Sequence, residues 1–158
     1  MNSVQIFQKL RDYSWDEEAW FLPLAPAIEG VTASQAAWQP PGGGNTIWQT
    51  LNHLNYFNAL MVKRVQGLSA PTTAETNTET FGDKGDPGDE VGWQKTVEDA
   101  KRIAGELKQV FKALTEKELE EKELANKIAA WVMHDAYHTG QIVLIRKMQA
   151  SWPASRED

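Results

Sequence analysis

The chain has three histidines, His53, His134 and His138, and two of them stand where a helical period asks for apolar side chains. In residues 130–148, AWVMHDAYHTGQIVLIRKM, the apolar stripe of Ile128, Trp131, Ile142 and Ile145 is interrupted by His134 and His138. Four residues apart, the two imidazoles lie on one helix face, one turn above the other. That geometry lets both reach one metal ion, as on the zinc-binding helix of metalloproteases. His53 lies midway along another helical segment, on the flank shared with Phe57 and Leu60, where it can face a neighbouring helix. A cationic imidazole in a helical core is costly, and a neutral one still needs partners for both ring nitrogens. One divalent ion would answer all three needs and leave an open position for water or substrate. The plainer reading is that the histidines are core residues with hydrogen-bonded partners.

Asp135 occupies the general-base position of a His-Glu-x-x-His pattern but is one methylene shorter, so a surface carboxylate or one supporting an imidazole is the stronger expectation. Gln141 shares the face of His134 and His138 and could bond an imidazole, a ligand or a water. Tyr56 and Tyr137 adjoin histidines in sequence and so point elsewhere on a helix. Trp93 and Trp131 fall on apolar stripes and read as core. Trp20 and Trp48 also read as core, with a pocket wall as the alternative. The acidic tract from Asp83 to Glu90 reads as a solvated loop, since its spacing is not that of a calcium loop. Gly42, Gly43 and Gly44 do not make a phosphate loop, because no strand precedes them and no Gly-Lys-Ser/Thr follows.

Long helices must position these groups. The first helix is expected over residues 3–22, with Val4, Phe7, Leu10, Ser14 and Phe21 at helical spacing and Ile6, Tyr13 and Trp20 widening the face. Pro23 and Pro26 end or kink it. Thr32 opens a short turn, and residues 40–44 break regular structure. Asn45 is the expected cap of a second helix over residues 46–66, stopped by Gly67. Residues 68–92 are rich in Thr, Gly, Pro and acids and read as one long loop, which could cover a cleft. A third helix over residues 92–114 carries the cleanest seam, Trp93, Val97, Ala100, Ala104, Leu107, Phe111 and Leu114. A charged turn opens at Thr115, and a fourth helix is expected over residues 126–150. No segment alternates with period two, so the class is all-α. Four long helices predict a four-helix bundle, with a long crossover that lets helices two and three run parallel. Residues 1–158 read as a single domain, because neither side of the loop is a complete core.

Composition narrows the function. The chain has 158 residues, 41% apolar and 24% charged, the balance of a globular domain. There are no cysteines, so disulfides, thiolate ligands and cysteine nucleophiles are excluded. The net charge of −6 argues against a nucleic-acid partner, and Lys63-Arg64 and Arg146-Lys147 are too sparse to make such a surface. No apolar run approaches a membrane span, and the N-terminus lacks a secretory pattern, so a cytoplasmic protein with no membrane partner is expected.

Three pieces together resemble the DinB-like (DinB/YfiT) superfamily of metal-dependent enzymes. They are Trp38-Gln-Pro-Pro-Gly-Gly-Gly-Asn45-Thr-Ile-Trp48, then Leu51-Asn-His53-Leu, then His134-Asp-Ala-Tyr-His138-Thr-Gly-Gln141-Ile. The resemblance implies an up-down-down-up four-helix bundle and a divalent metal, nickel or zinc most often, held by His53, His134 and His138. It implies a homodimer acting on a small-molecule substrate. Relatives of this kind include transferases and isomerases that use a low-molecular-weight thiol (bacillithiol, mycothiol or glutathione); others are described as hydrolases. The expected function is a thiol-dependent transferase acting on a small electrophile, with a metal-dependent hydrolase or a non-catalytic metal or small-ligand binder as alternatives.

Overall fold

Three of the four long helices open on a side chain that takes over backbone N–H groups their first turn leaves free. In the computed structural model, which describes residues 1–153, α1 (Ser3–Trp15) opens on Asn2, reciprocated by Gln5. Two short helices follow, α2 (Leu24–Ile28) and α3 (Ala33–Ala36). Then α4 (Ile47–Gln66) opens on Thr46, reciprocated by Gln49, and α5 (Glu90–Ala113) opens on Asp89. The short α6 (Glu116–Glu121) opens on the expected Thr115–Glu118 box and leads into α7 (Leu124–Met148). There is no strand among the described residues, and the protein is all-α. Residues 154–158 of the expected 1–158 domain lie outside the described residues.

Several boundaries differ from the sequence expectation, each for a local reason. The first helix stops at Trp15 rather than near residue 22, where Asp16, Glu17 and Glu18 would stack three acids on the negative end of the helix dipole. Trp20 and Ile6, expected on its apolar face, are instead exposed, Trp20 completely. Pro23 precedes α2 and Pro26 sits in its first turn, where a proline removes no helical hydrogen bond. Thr46, not Asn45, caps α4. Gly67 ends it in the left-handed conformation, as expected. Arg146 is buried and donates to the carbonyls of Ala27 and Ser151.

The connection between α4 and α5 is strapped to the bundle. Thr46, Gln49 and Asn52, three residues apart on one face of α4, donate to the carbonyls of Lys84, Gly82 and Phe81. Gly85, at φ +90, lies so close to Trp48 that a Cβ would stand 2.4 Å from the indole, which only glycine permits. Within the connection, Thr78–Phe81 form a 3₁₀ turn. Asn55 of α4 donates to the Thr96 carbonyl of α5, and Val65 and Gln66 border the same cavity as Val110 and Ala113. Both contacts advance together along the two helices, so α4 and α5 run in parallel.

The core has two apolar clusters. One joins α2, α3 and the N-terminal halves of α4 and α5 to the end of α7, with Leu51, Leu54, Trp93 and Ile142 buried in it. The other joins α1 and the C-terminal halves of α4 and α5 to α6 and the start of α7, around Met61, Phe111, Leu124 and Ile128. Between them lies a polar layer on α4 and α7.

Candidate metal centre

The polar layer begins where α4 and α7 face each other. His53 projects from α4 between Leu51 and Leu54, both wholly buried, and is itself 2% exposed. His134 and His138 project from α7 toward it. The three rings meet: His53 lies 4.9 Å from His134 and 4.5 Å from His138, centre to centre, and His134 and His138 are 4.5 Å apart. One nitrogen from each falls within 4.8 Å of the others. The closest pair is His53 Nε2 and His134 Nε2, at 2.9 Å.

The outward nitrogens decide which inward ones are free. Thr80 Oγ1 donates to the Asn77 carbonyl at 2.6 Å, so its oxygen must accept from His53 Nδ1–H, 2.5 Å away. His138 Nδ1 donates to Gln141 Oε1 at 2.7 Å. Both rings are thereby fixed with the proton on Nδ1 and a lone pair on Nε2. On α7, Asp135 Oδ1 lies 3.5 Å from His134 Nδ1, on the side away from the Nε2 contact. If His134 also carries its proton on Nδ1, three Nε2 lone pairs converge, and the carboxylate is there to accept that proton.

The donor chemistry fits a divalent ion. Two nitrogens bound to a tetrahedral ion at about 2.0–2.1 Å stand about 3.3 Å apart, so a small outward turn of one ring would admit the ion between His53 and His134. Among the described residues, no fourth histidine or carboxylate joins the three. Burial, reinforced by the neighbouring imidazoles, lowers the His53 pKa to about 4. Burial also lowers that of His138, against the support of Gln141. Both therefore stay neutral, the form that binds metal.

Aromatic rings wall the cluster. Phe81, from the 3₁₀ turn, stacks on His53 at 3.9 Å and 11°, and Phe57 meets the edges of His53 and His134. His134 is the partly exposed member, with 28% of its side chain accessible. Asp135 is buried rather than at the surface, and burial raises its pKa, opposed by His134 and by a hydrogen bond from Asn58. Asn58 Oδ1 accepts from Trp131 Nε1, which leaves its amide NH₂ for Asp135. Tyr137 is exposed, and the Tyr56 hydroxyl accepts from the backbone of Thr73 and Ala74.

Sequence reasoning missed Thr80, Phe81 and Asn58. Phe81, a lone aromatic in a polar loop, was the one signal that the connection folds back onto something. A cavity of about 590 Å³ lies between Trp15, Ile28, Glu29, Gln94 and Lys101 and touches none of the histidines. No helix among the described residues is long and apolar enough to cross a membrane.

A family model described as the DinB superfamily matches residues 23–142, a span that includes all three histidines. Neither the curated proteins nor the solved structures contain a match.

Proposed function

The chain belongs to the DinB superfamily, and on that premise we propose that His53, His134 and His138 hold one divalent ion, nickel or zinc, in a thiol-dependent transferase for a small electrophilic substrate. The observation that carries this reading is the convergence of three imidazoles, two of which are already locked with their Nε2 lone pairs inward. A divalent ion there would favour the deprotonated form of a thiol brought to its open position. The chain's own residues do the rest. Thr80 and Gln141 hold two rings from behind, and Asp135 stands behind the third. Phe57 and Phe81 keep water from the buried flank of His53. His134 faces the accessible side.

A hydrolase would need a general base beside the open position. Asp135, the carboxylate the sequence offers, is turned to the Nδ1 side of His134, away from the Nε2 atoms. That orientation favours a thiol over an activated water. We also assign a homodimer to the outward face of α7. Met133 and Tyr137 are exposed there, on a helix that is apolar around most of its circumference. A single monomeric species in sedimentation would refute the dimer.

The test of the activity is conjugation. Nickel- or zinc-loaded protein is incubated with glutathione, bacillithiol or mycothiol and a bimane electrophile, and the thioether is quantified. The expected result is a rate at least about tenfold above the metal-stripped chain, lost in His134→Ala. Tight metal binding with no conjugate from any of the three thiols would overturn the transferase and leave a metal-binding protein.

A further inference from the structure

Gln141 follows His138 by three residues, so the two share a face of α7. Its Oε1 is occupied by His138, while its amide NH₂ has no protein partner among the described residues. The same side chain borders a cavity of about 190 Å³ beside the last turns of α7, so Gln141 links that cavity to His138. Across the cavity stand Thr50, one turn before His53 on α4, and the Pro40–Asn45 loop. Gly42 and Gly43, both at positive φ, fold that loop so that the Gly43 N–H reaches the Pro40 carbonyl. Pro40, Gly44 and Asn45 of that loop form one wall of the cavity. Leu144 and Met148, about half exposed, supply the remaining apolar surface.

We propose that this cavity receives the body of the substrate, that it takes a small neutral organic molecule bearing a carbonyl or ether oxygen, and that the Gln141 NH₂ donates to that oxygen. Three observations select this class. The volume is below the about 300–1,000 Å³ of pockets for drug-sized ligands, so the molecule is small. No charged side chain lines the cavity, so a carboxylate or ammonium would lose its hydration without a partner. The Gln141 NH₂ at the cavity edge is a donor without a protein partner among the described residues, and it calls for an acceptor. Gln141 then joins substrate and metal ligand, since one end of its amide bonds each. The role as a substrate subsite rests on the metal-enzyme reading above; the binding itself does not.

The experiment uses three six-membered rings that differ in charge: cyclohexanone, cyclohexanecarboxylate and cyclohexylammonium. Each is titrated into the full chain, metal-free and zinc-loaded, and followed by amide NMR. The expected result is saturable binding of cyclohexanone, with shifts at Gly44, Asn45 and the Gln141 side-chain amide. The two ions should bind at least about tenfold more weakly. Gln141→Leu should weaken the ketone about two- to tenfold, as loss of one hydrogen bond does. Equal or tighter binding of either ion, shifts centred on Trp15 and Gln94, or no saturable shift with the ketone would each overturn the proposal. Ketone binding to a chain that takes up no metal would leave the cavity standing and sink the enzyme reading. Metal uptake without ketone binding would do the reverse.

Discussion

Where α6 turns into α7, the neighbours explain each buried side chain: Met61, Val65, Leu107, Phe111, Leu124 and Ile128 fill one apolar volume and leave no polar atom to satisfy. A few turns along the same two helices, α4 and α7 bury His53, Asn58, Asp135, His138 and Thr139 instead. In that layer packing alone explains little. Trp131 satisfies Asn58, Thr80 satisfies one nitrogen of His53, and Gln141 satisfies one of His138. After those bonds are made, what remains is the Thr139 hydroxyl, buried without a partner among the described residues, and a set of inward-facing ring nitrogens. The apolar layer is built to hold the helices together. The polar layer has most of its outer atoms partnered, and on the proposed reading its inner ring nitrogens hold an ion.

The comparison can be tested by perturbing each layer in turn. Phe111→Ala in the apolar layer should cost about 3–5 kcal/mol by urea unfolding, with metal stoichiometry unchanged under conditions where the chain is still folded. Zinc at about a hundredfold over its dissociation constant should stabilise the wild type by about 2.7 kcal/mol. Calorimetry should show that gain vanish with chelator, while Phe111→Ala keeps it. Asp135→Asn should weaken metal binding about ten- to a hundredfold in a competition titration, because it removes the carboxylate behind His134. A loss confined to turnover, with metal affinity intact, would instead bring back a general base.

Acid should act on the polar layer through His53. His53 titrates near 4 in the folded chain and near the ordinary 6.5 when unfolded, so between those values the unfolded state binds more protons. Metal-free stability should therefore fall as pH drops from about 6.5 toward 4, by at most about 1.4 kcal/mol per pH unit for this group. A flat profile over that window would show that His53 is not buried as described. The smallest effect belongs to Trp20→Ser, which should change stability by no more than about 0.5 kcal/mol, because the ring lies wholly in solvent.

The same contrast governs what the sequence discloses. The α5 seam from Trp93 to Phe111 was legible because period and burial coincide there. His134 and His138 were legible because they break such a period. The family was legible from three motifs taken in order. The first helix was overextended because Phe21 and Trp20 keep helical spacing past Trp15, while the three acids that end the helix carry no periodic signal. Thr80 was out of reach for another reason. It meets His53 through a connection whose path is set by Thr46, Gln49 and Asn52, polar residues that read locally as an ordinary solvated face. For Asp135 the sequence leaves a surface carboxylate and one supporting an imidazole both open, because Asn58, whose amide makes its burial tolerable, is far away in sequence.

The most direct test of the account is metal content by mass spectrometry, on wild type and His138→Ala purified without an affinity tag. The account predicts about one divalent ion per wild-type chain and none retained by the mutant, with both proteins folded. Wild-type protein that holds no ion even after addition of nickel or zinc would contradict it, and the three histidines would then be a hydrogen-bonded core cluster.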